Sequence, residues 1–454
     1  MRRVAYKRAV ILWRKYYNYM KTKLTLQQKL QKRKYKITNR LYYFIYHFVM
    51  TDIVSKKYHP HYEIVDDIKD CKTGCFLIWN HLSRLDHIYA MSITYPRRIN
   101  IVAAYVEFFR SHLHWAFKKN NVIPKKQYTN DLTTVKAMGK ILKLGGVVAF
   151  APEGLSSNYG TNQPIVVGTG HLFKHYKVPV YFMELRGQYL MNHKTCLDER
   201  YGQTYAKLTK MFTPEDLECL SEQEIEDKIN LAFKHDEYEW QKEQHIKWDT
   251  RGRICHRMDD ICYKCPKCGA ELDMTAEKDY IKCNQCGNGA TMDDYYEFHP
   301  YEGSIIPESP SKWVLWEREQ VIKEIRENPN YSYSEKVKIG TIPTDHYIKD
   351  HKTSELCGEG VLTIDHSGVH FRGTRDDKPY QFDLSYKVIF TVITELDFSY
   401  INFFVNGEYH DFFPEHHSGC KMLLLIEEMH RLHVNTWKNF PWYDYLYEQY
   451  KDKE

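Results

Sequence analysis

Two short stretches of the chain hold side chains able to move a proton. One is Asn80-His81-Leu82-Ser83-Arg84-Leu85-Asp86, the other Ala151-Pro152-Glu153-Gly154. An imidazole titrates near neutrality and can take the proton of a hydroxyl. A carboxylate beside it fixes the tautomer and stabilises the imidazolium as it forms. Within one helix a five-residue step turns two side chains roughly 140° apart. Pairing therefore requires His81 in a strand-to-helix turn and Asp86 in the first helical turn. Ser83-x-x-Asp86 also fits a capping box, in which Asp86 would only satisfy amides at a helix start. Pro152-Glu153-Gly154 reads either as an ordinary turn or as a carboxylate at the carboxyl edge of a sheet, where α/β folds bind ligands.

The elements needed to position these groups are legible around them. The apolar runs Cys75–Trp79, 99–104 and 147–150 read as buried strands, and 178–183 as a further one. Helices are expected from Ser83 onward, over 132–144, 171–176 and 215–233, with Gly145-Gly146 ending the second. Strands alternating with helices predict an α/β domain, a mixed sheet flanked by helices. Farther on, alternating runs at 361–364, 368–371, 388–391 and 403–405 and a helix over 417–433 predict a small β-barrel-like domain of pleckstrin-homology type with a C-terminal helix.

Cys265-Pro266-Lys267-Cys268 and Cys283-Asn284-Gln285-Cys286 form two Cys-x2-Cys knuckles separated by fourteen residues, each followed by a glycine. That spacing predicts a four-thiolate zinc ribbon on Cys265, Cys268, Cys283 and Cys286. A module this small has no core of its own, so bound Zn2+ would stabilise its fold by on the order of 10 kcal/mol. Four protein ligands leave no open position, which makes the metal structural. No secretory leader is legible, so the twelve cysteines read as thiols or metal ligands of a cytoplasmic protein.

The 454 residues are too many for one core. The formal net charge of +5 is the sum of +14 in residues 1–50, which lack Asp and Glu, and −9 beyond them. Tyr6, Val10, Trp13, Tyr17, Met20 and Leu24 form one helical stripe flanked by Arg and Lys, which predicts an interfacial helix. The apolar run Leu41–Met50 covers ten residues, against about 20 for a spanning helix. Peripheral association with the inner face of the cytoplasmic membrane is the expectation. No nucleic-acid-binding fold is legible, and no nucleic-acid partner is expected.

Asn80, His81, Ser83 and Asp86 match the Asn-His-x-Ser-x-x-Asp block of the glycerolipid acyltransferases, whose best-known members act on 1-acyl-glycerol-3-phosphate. Ala151–Ser157 resembles that family's Phe-Pro-Glu-Gly-Thr-Arg-Ser block, Val178-Pro179-Val180 its Val-Pro-Val strand, and 121–127 its weaker second block. The layout, with a zinc ribbon and a small β domain following, is similar to that of Gram-positive bacterial members. The resemblance implies transfer of a fatty acyl group from acyl-CoA or acyl-carrier protein to the hydroxyl of a membrane lysophospholipid, without an acyl-enzyme. It implies His81 as general base, Asp86 as its orienting partner, and Ser83, Glu153 and Gly154 at the acceptor. The family's phosphate-binding arginines are replaced by Gln127 and Ser156, so Lys125 and Lys126, or Arg186, are the candidate cations. Two other readings stand beside this one: transfer to a non-phosphate lipid or glycolipid, and a non-catalytic lipid-binding scaffold.

The expected layout is a basic helical segment at 1–40, an acyltransferase domain at 41–235, a linker at 236–260 and a zinc ribbon at 261–295. A Trp-rich connector at 296–350, the β domain at 351–435 and a tail at 436–454 complete it.

Overall fold

The computed structural model describes residues 24–194, 198–394 and 396–436, together with Leu446 and Glu448. The expected stripe from Tyr6 to Met20 lies outside them.

The first unit is built on β1 (Pro60–Ile64), β2 (Cys75–Trp79), β3 (Ile99–Ala104), β4 (Ile123–Lys125), β5 (Val147–Phe150), β6 (Val180–Arg186) and β7 (Thr204–Phe212). They form one sheet in the order β1-β7-β6-β2-β5-β3-β4, parallel throughout except for β6 against β7. The sheet is therefore mixed, as expected. Strand β2 is buried on both sides because successive residues face opposite ways. Cys75, Leu77 and Trp79 enter a core shared with helices α1 (Arg40–Tyr58) and α2 (Asp86–Thr94). Phe76 and Ile78 enter another, shared with α3 (Leu132–Lys143), α4 (Thr169–Tyr176) and α5 (Glu222–Phe233). Ser221 caps α5 through a capping box with Glu224, which breaks the expected 215–233 helix in two.

The stretch read as a linker does not span between units. Helix Glu237–Gln244 lies within it, and Trp248 is fully buried with its indole N–H donating to Gln241 Oε1 (2.9 Å). The cysteine module follows as a four-stranded antiparallel sheet of β8 (Met274–Glu277), β9 (Tyr280–Cys283), β10 (Gly289–Met292) and β11 (Phe298–Pro300). The Trp-rich segment supplies α6 (Pro310–Glu327), which buries Trp313, and then β12 (Ser332–Thr341).

Strand β12 already belongs to the last unit, which thus begins before residue 351. It joins β13 (Glu355–Asp365), β14 (Gly368–Arg375), β15 (Lys378–Leu384), β16 (Ile393–Thr394), β17 (Ile401–Val405) and β18 (Glu408–Pro414). The order is β15-β14-β13-β12-β18-β17-β16, antiparallel throughout. A register shift between Ile339 and Gly340 marks an irregularity in β12, which pairs on both edges. Helix α7 (Gly419–His433) is buried over most of its length. The run expected as a strand at 388–391 is a loop instead. It leads into the two-residue strand β16, and it packs between Tyr128 of the first unit and Glu427 and His430 of α7.

The units share polar contacts as well as core. The Arg318 guanidinium on α6 pairs with Glu427 (2.7 Å) and Glu428 on α7 and donates to the Tyr159 hydroxyl (3.1 Å) in the first unit, all of it out of water. Asn158 Oδ1 accepts from Lys194 Nζ (2.8 Å) and from Thr394 Oγ1 (2.7 Å) of β16.

Candidate active site

Strands β2 and β5 run parallel with Ile78 opposite Phe150. Each chain then leaves the sheet at the same edge, so His81 and Glu153 lie three residues past paired positions and come together. The Asn80 side-chain amide donates to Leu185 O (3.0 Å) and accepts from Leu185 N (2.8 Å), fixing the end of β2 against β6. Helix α2 begins at Asp86.

His81 Nδ1 lies 2.8 Å from Asp86 Oδ2. Asp86 is 1% exposed, and its carboxylate also accepts from the amides of Leu82 (2.8 Å) and Ser83 (3.0 Å). Burial pushes the Asp86 carboxyl upward, while His81 and these amides oppose the shift. A carboxylate facing Nδ1 calls for the tautomer protonated there, which leaves Nε2 as the basic nitrogen. The capping box does not form: Leu85 is the N-cap and no side chain caps the helix, while the Asp86 carboxylate orients His81 and also holds the amides of the preceding turn. Ser83 Oγ accepts from Leu85 N (3.1 Å), and so Ser83 shapes the turn as well as lining the cleft.

Glu153 is 1% exposed. One carboxylate oxygen accepts from His81 N (2.5 Å) and the other from Gln163 N (2.8 Å). Both oxygens are therefore spent inside the protein, where the expectation set them at an acceptor. Burial pushes this carboxyl up to about 8 against the pull of the two amides. Gly154, at φ +78°, makes the turn and accepts from Gln127 Nε2 (2.7 Å) at its carbonyl. Ser157 N donates to His81 O (2.7 Å), a second tie between the turn after β2 and the loop after β5.

A cleft of about 2360 Å³ opens at His81. Its apolar lining comes from Tyr46 and Met50 of α1, Trp79, Met91, Ile101 and Phe117. Its polar lining includes Arg84, Lys125, Gln127 and Ser156. Lys125 donates to the carbonyls of Lys126 (2.8 Å) and Thr129 (2.7 Å), and burial draws its ammonium downward. Lys126 does not line the cleft. Its ammonium donates to Gly407 O (3.1 Å) and lies over the Tyr105 and Phe404 rings, so it joins the first unit to the last sheet and does not serve as a substrate contact. Arg186 pairs with Glu184 (2.7 Å) and is likewise off the cleft. The part of the lining missed from sequence is Arg84, inside the quoted motif, and residues of the C-terminal sheet, for which no local pattern exists.

Residues 55–184 match the family model described as Acyltransferase. The match holds His81, Asp86 and Glu153 and runs from the end of α1 into β6. No curated protein matches the chain. Among solved structures, the 1-acyl-sn-glycerophosphate (LPA) acyltransferase PlsC from Thermotoga maritima is 14% identical, with a TM-score of 0.36, over 42% of this chain and 76% of that one. The acyltransferase-type segment is thus under a third of the chain, and the units after it lie outside the match.

The four knuckle cysteines converge. Cys265 Sγ is 3.7 Å from Cys286 Sγ, Cys268 Sγ is 3.7 Å from Cys283 Sγ, and all four sulfurs lie within 4.8 Å of one another. A tetrahedral ion with bonds of about 2.3 Å to sulfur needs sulfurs about 3.8 Å apart, so the set could hold a metal. Gly269 (φ +77°) and Gly287 (φ +72°) make the knuckle turns, their amides donating to the carbonyls of Cys265 and Cys283.

The Glu153 carboxyl yields a test of this geometry. A folded-state value near 8 lies above the unfolded one, about 4.3. The folded chain then holds a proton that the unfolded chain releases, so this group's contribution to stability falls as pH rises from about 4.5 to about 8. Glu153→Gln does not titrate. The melting temperature of the wild type relative to Glu153→Gln, followed by calorimetry, should decline across that window. A constant difference would remove the assignment.

Proposed function

We propose that the chain transfers a fatty acyl group from acyl-CoA or acyl-carrier protein to the hydroxyl of a lysophospholipid, 1-acyl-glycerol-3-phosphate first among them. The observation that carries the reading is the His81–Asp86 pair at the mouth of an apolar cleft, in a segment that matches the acyltransferase family. His81 Nε2 takes the acceptor proton as the hydroxyl oxygen attacks the thioester carbonyl, and when the C–S bond breaks the leaving thiolate takes that proton from the imidazolium, which leaves an ester and a free thiol. Asp86 holds the tautomer and the imidazolium. Glu153 is a positioning residue that sets the His81 backbone. A second reading, transfer to an acceptor without phosphate, is favoured by Gln127, whose amide is committed to Gly154 O where a guanidinium was expected.

Labelled acyl donor offered with a panel of acceptors tests both readings and the scaffold alternative. His81→Ala should lower kcat by about 10²–10⁴-fold. Asp86→Asn should also lower it, while the fold is kept. Equal activity in His81→Ala would refute the chemistry. Product from phosphate-free acceptors alone would favour the second reading, and no product from any acceptor would leave the scaffold.

We also place the enzyme on a lipid surface. Among the described residues no helix is long and apolar enough to cross a membrane. Helix α1 has a reversed amphipathic pattern: Leu41 (63% exposed), Phe44, Ile45, Phe48 (58%) and Val49 face outward at helical spacing. Trp115 (56% exposed) extends this face, with Lys119 Nζ over its ring and that of Tyr42. Exposed apolar surface bordered by Lys119 and the Tyr42 and Trp115 rings suits an anionic bilayer interface. The inner side of the same helix lines the cleft, which gives a lipid a short path from bilayer to His81. Phe48→Asp should reduce pelleting with anionic liposomes while leaving the melting temperature unchanged. Undiminished pelleting would count against this face.

The metal we assign to the cysteine set is Zn2+, held by four thiolates as a structural ion with no part in proton transfer. Metal analysis should find about one zinc per chain, and Cys283→Ser should lose it and lower the melting temperature. Full zinc content in that variant would refute the assignment.

A further inference from the structure

The C-terminal sheet forms one side of the cleft that holds His81. Ser385, Lys387, Val388 and Phe390, from the loop after β15, line it together with Phe404 and Asn406 near the β17–β18 turn. This placement is anchored from both units. The Phe390 ring meets Tyr128 edge-on at 5.3 Å, and Tyr128 in turn donates to Glu153 O (3.2 Å). Lys126 holds the β17–β18 turn, and Asn158 holds Thr394. The loop itself is pinned from below. Tyr386 is buried and donates to Asp365 O (2.6 Å), Ile389 is buried, and Thr391 donates to Glu427 (2.9 Å). Between these anchors Lys387 and Val388 are held exposed on the cleft wall.

The charges of the cleft single out Lys387. Lys125 is committed to two carbonyls, and Arg84 lies in the field of Glu199. Lys136 and Lys387 are exposed and, among the described residues, make no hydrogen bond or ion pair. Only Lys387 stands on the C-terminal wall. The carboxylate of Asp383 on that wall is engaged by His370 Nδ1 (2.5 Å) and Arg372 Nη2 (2.6 Å). One ammonium beside the apolar Val388, Phe390 and Phe404 matches a molecule with an anionic head joined to an acyl chain.

We propose that the loop 385–390 is the head-group wall of the acceptor site, and that Lys387 binds the phosphate of a lysophospholipid acceptor. This rests on the acyl-transfer reading, and it assigns specificity to a unit outside the acyltransferase-family match. Lys387 is a specificity residue and takes no part in proton transfer.

The test compares 1-acyl-glycerol-3-phosphate with monoacylglycerol, using the full chain. Lys387→Ala should raise KM for the phosphate acceptor about tenfold, the worth of one charge-assisted contact. The donor KM, kcat and KM for monoacylglycerol should stay within about twofold, and Lys387→Arg should recover most of the loss. An equal rise for both acceptors, or no rise, would overturn the proposal. If the wild type acylates neither acceptor, the acyl-transfer reading fails, and calorimetric binding of 1-acyl-glycerol-3-phosphate decides the wall separately. Binding about tenfold weaker in Lys387→Ala would sustain it, and unchanged binding would overturn it.

Discussion

The Glu153 carboxylate has no water to face, and its two oxygens are held by the amides of His81 and Gln163. A buried carboxyl group is costly unless its oxygens are hydrogen-bonded. The turn after β2 and the loop after β5 must therefore stay together for both oxygens to keep their amide partners. That requirement sets the His81 backbone, and through it the imidazole within 2.8 Å of Asp86. His81 and Glu153 are 72 positions apart in sequence, yet the parallel register of β2 and β5 delivers them to one place.

The same loop is gripped from the other side. Tyr159 and Asn158, just beyond Pro152-Glu153-Gly154, take hydrogen bonds from Arg318 and from Thr394. Arg318 is itself neutralised by Glu427 and Glu428 on the last helix. Removing one partner of such a buried group leaves an uncompensated charge, at a cost of about 3–5 kcal/mol. The C-terminal unit is thereby tied to the loops that build the site, and the core beneath β2 continues into its sheet and into the cysteine module.

Helix α1 turns the usual logic of a surface helix outward. Tyr43, Val54 and Tyr58 fill the core, while Phe44, Ile45 and Phe48 are left to the exterior. Asn39 caps its start by accepting from the amides of Leu41 and Tyr42, so the helix is set locally before its outer face meets anything.

The sequence by itself determined the strands at 75–79, 99–104 and 147–150, the His81–Asp86 and Glu153 stretches, and the cysteine knuckles. Each is a local pattern: an apolar run, a motif of fixed spacing, or a turn that needs glycine. Sequence reasoning leaves out β7, which pairs with β1 far back along the chain, and β15 and β18, which close short hairpins onto β14 and β17; β15 is a largely exposed edge strand with a weak apolar pattern. It read 236–260 as a linker because its polar composition hides Trp248 and Gln241, which are buried together. Residues 388–391 looked like a strand because Val, Ile, Phe and Thr suit one, yet a loop pinned by Tyr386 and Thr391 won. Tertiary structure alone decided that Glu153 faces inward, that Lys126 serves a domain contact, and that Lys387 stands in the cleft with His81. Local spacing fixes which groups can pair within a turn, but which wall closes a cleft depends on how whole units dock.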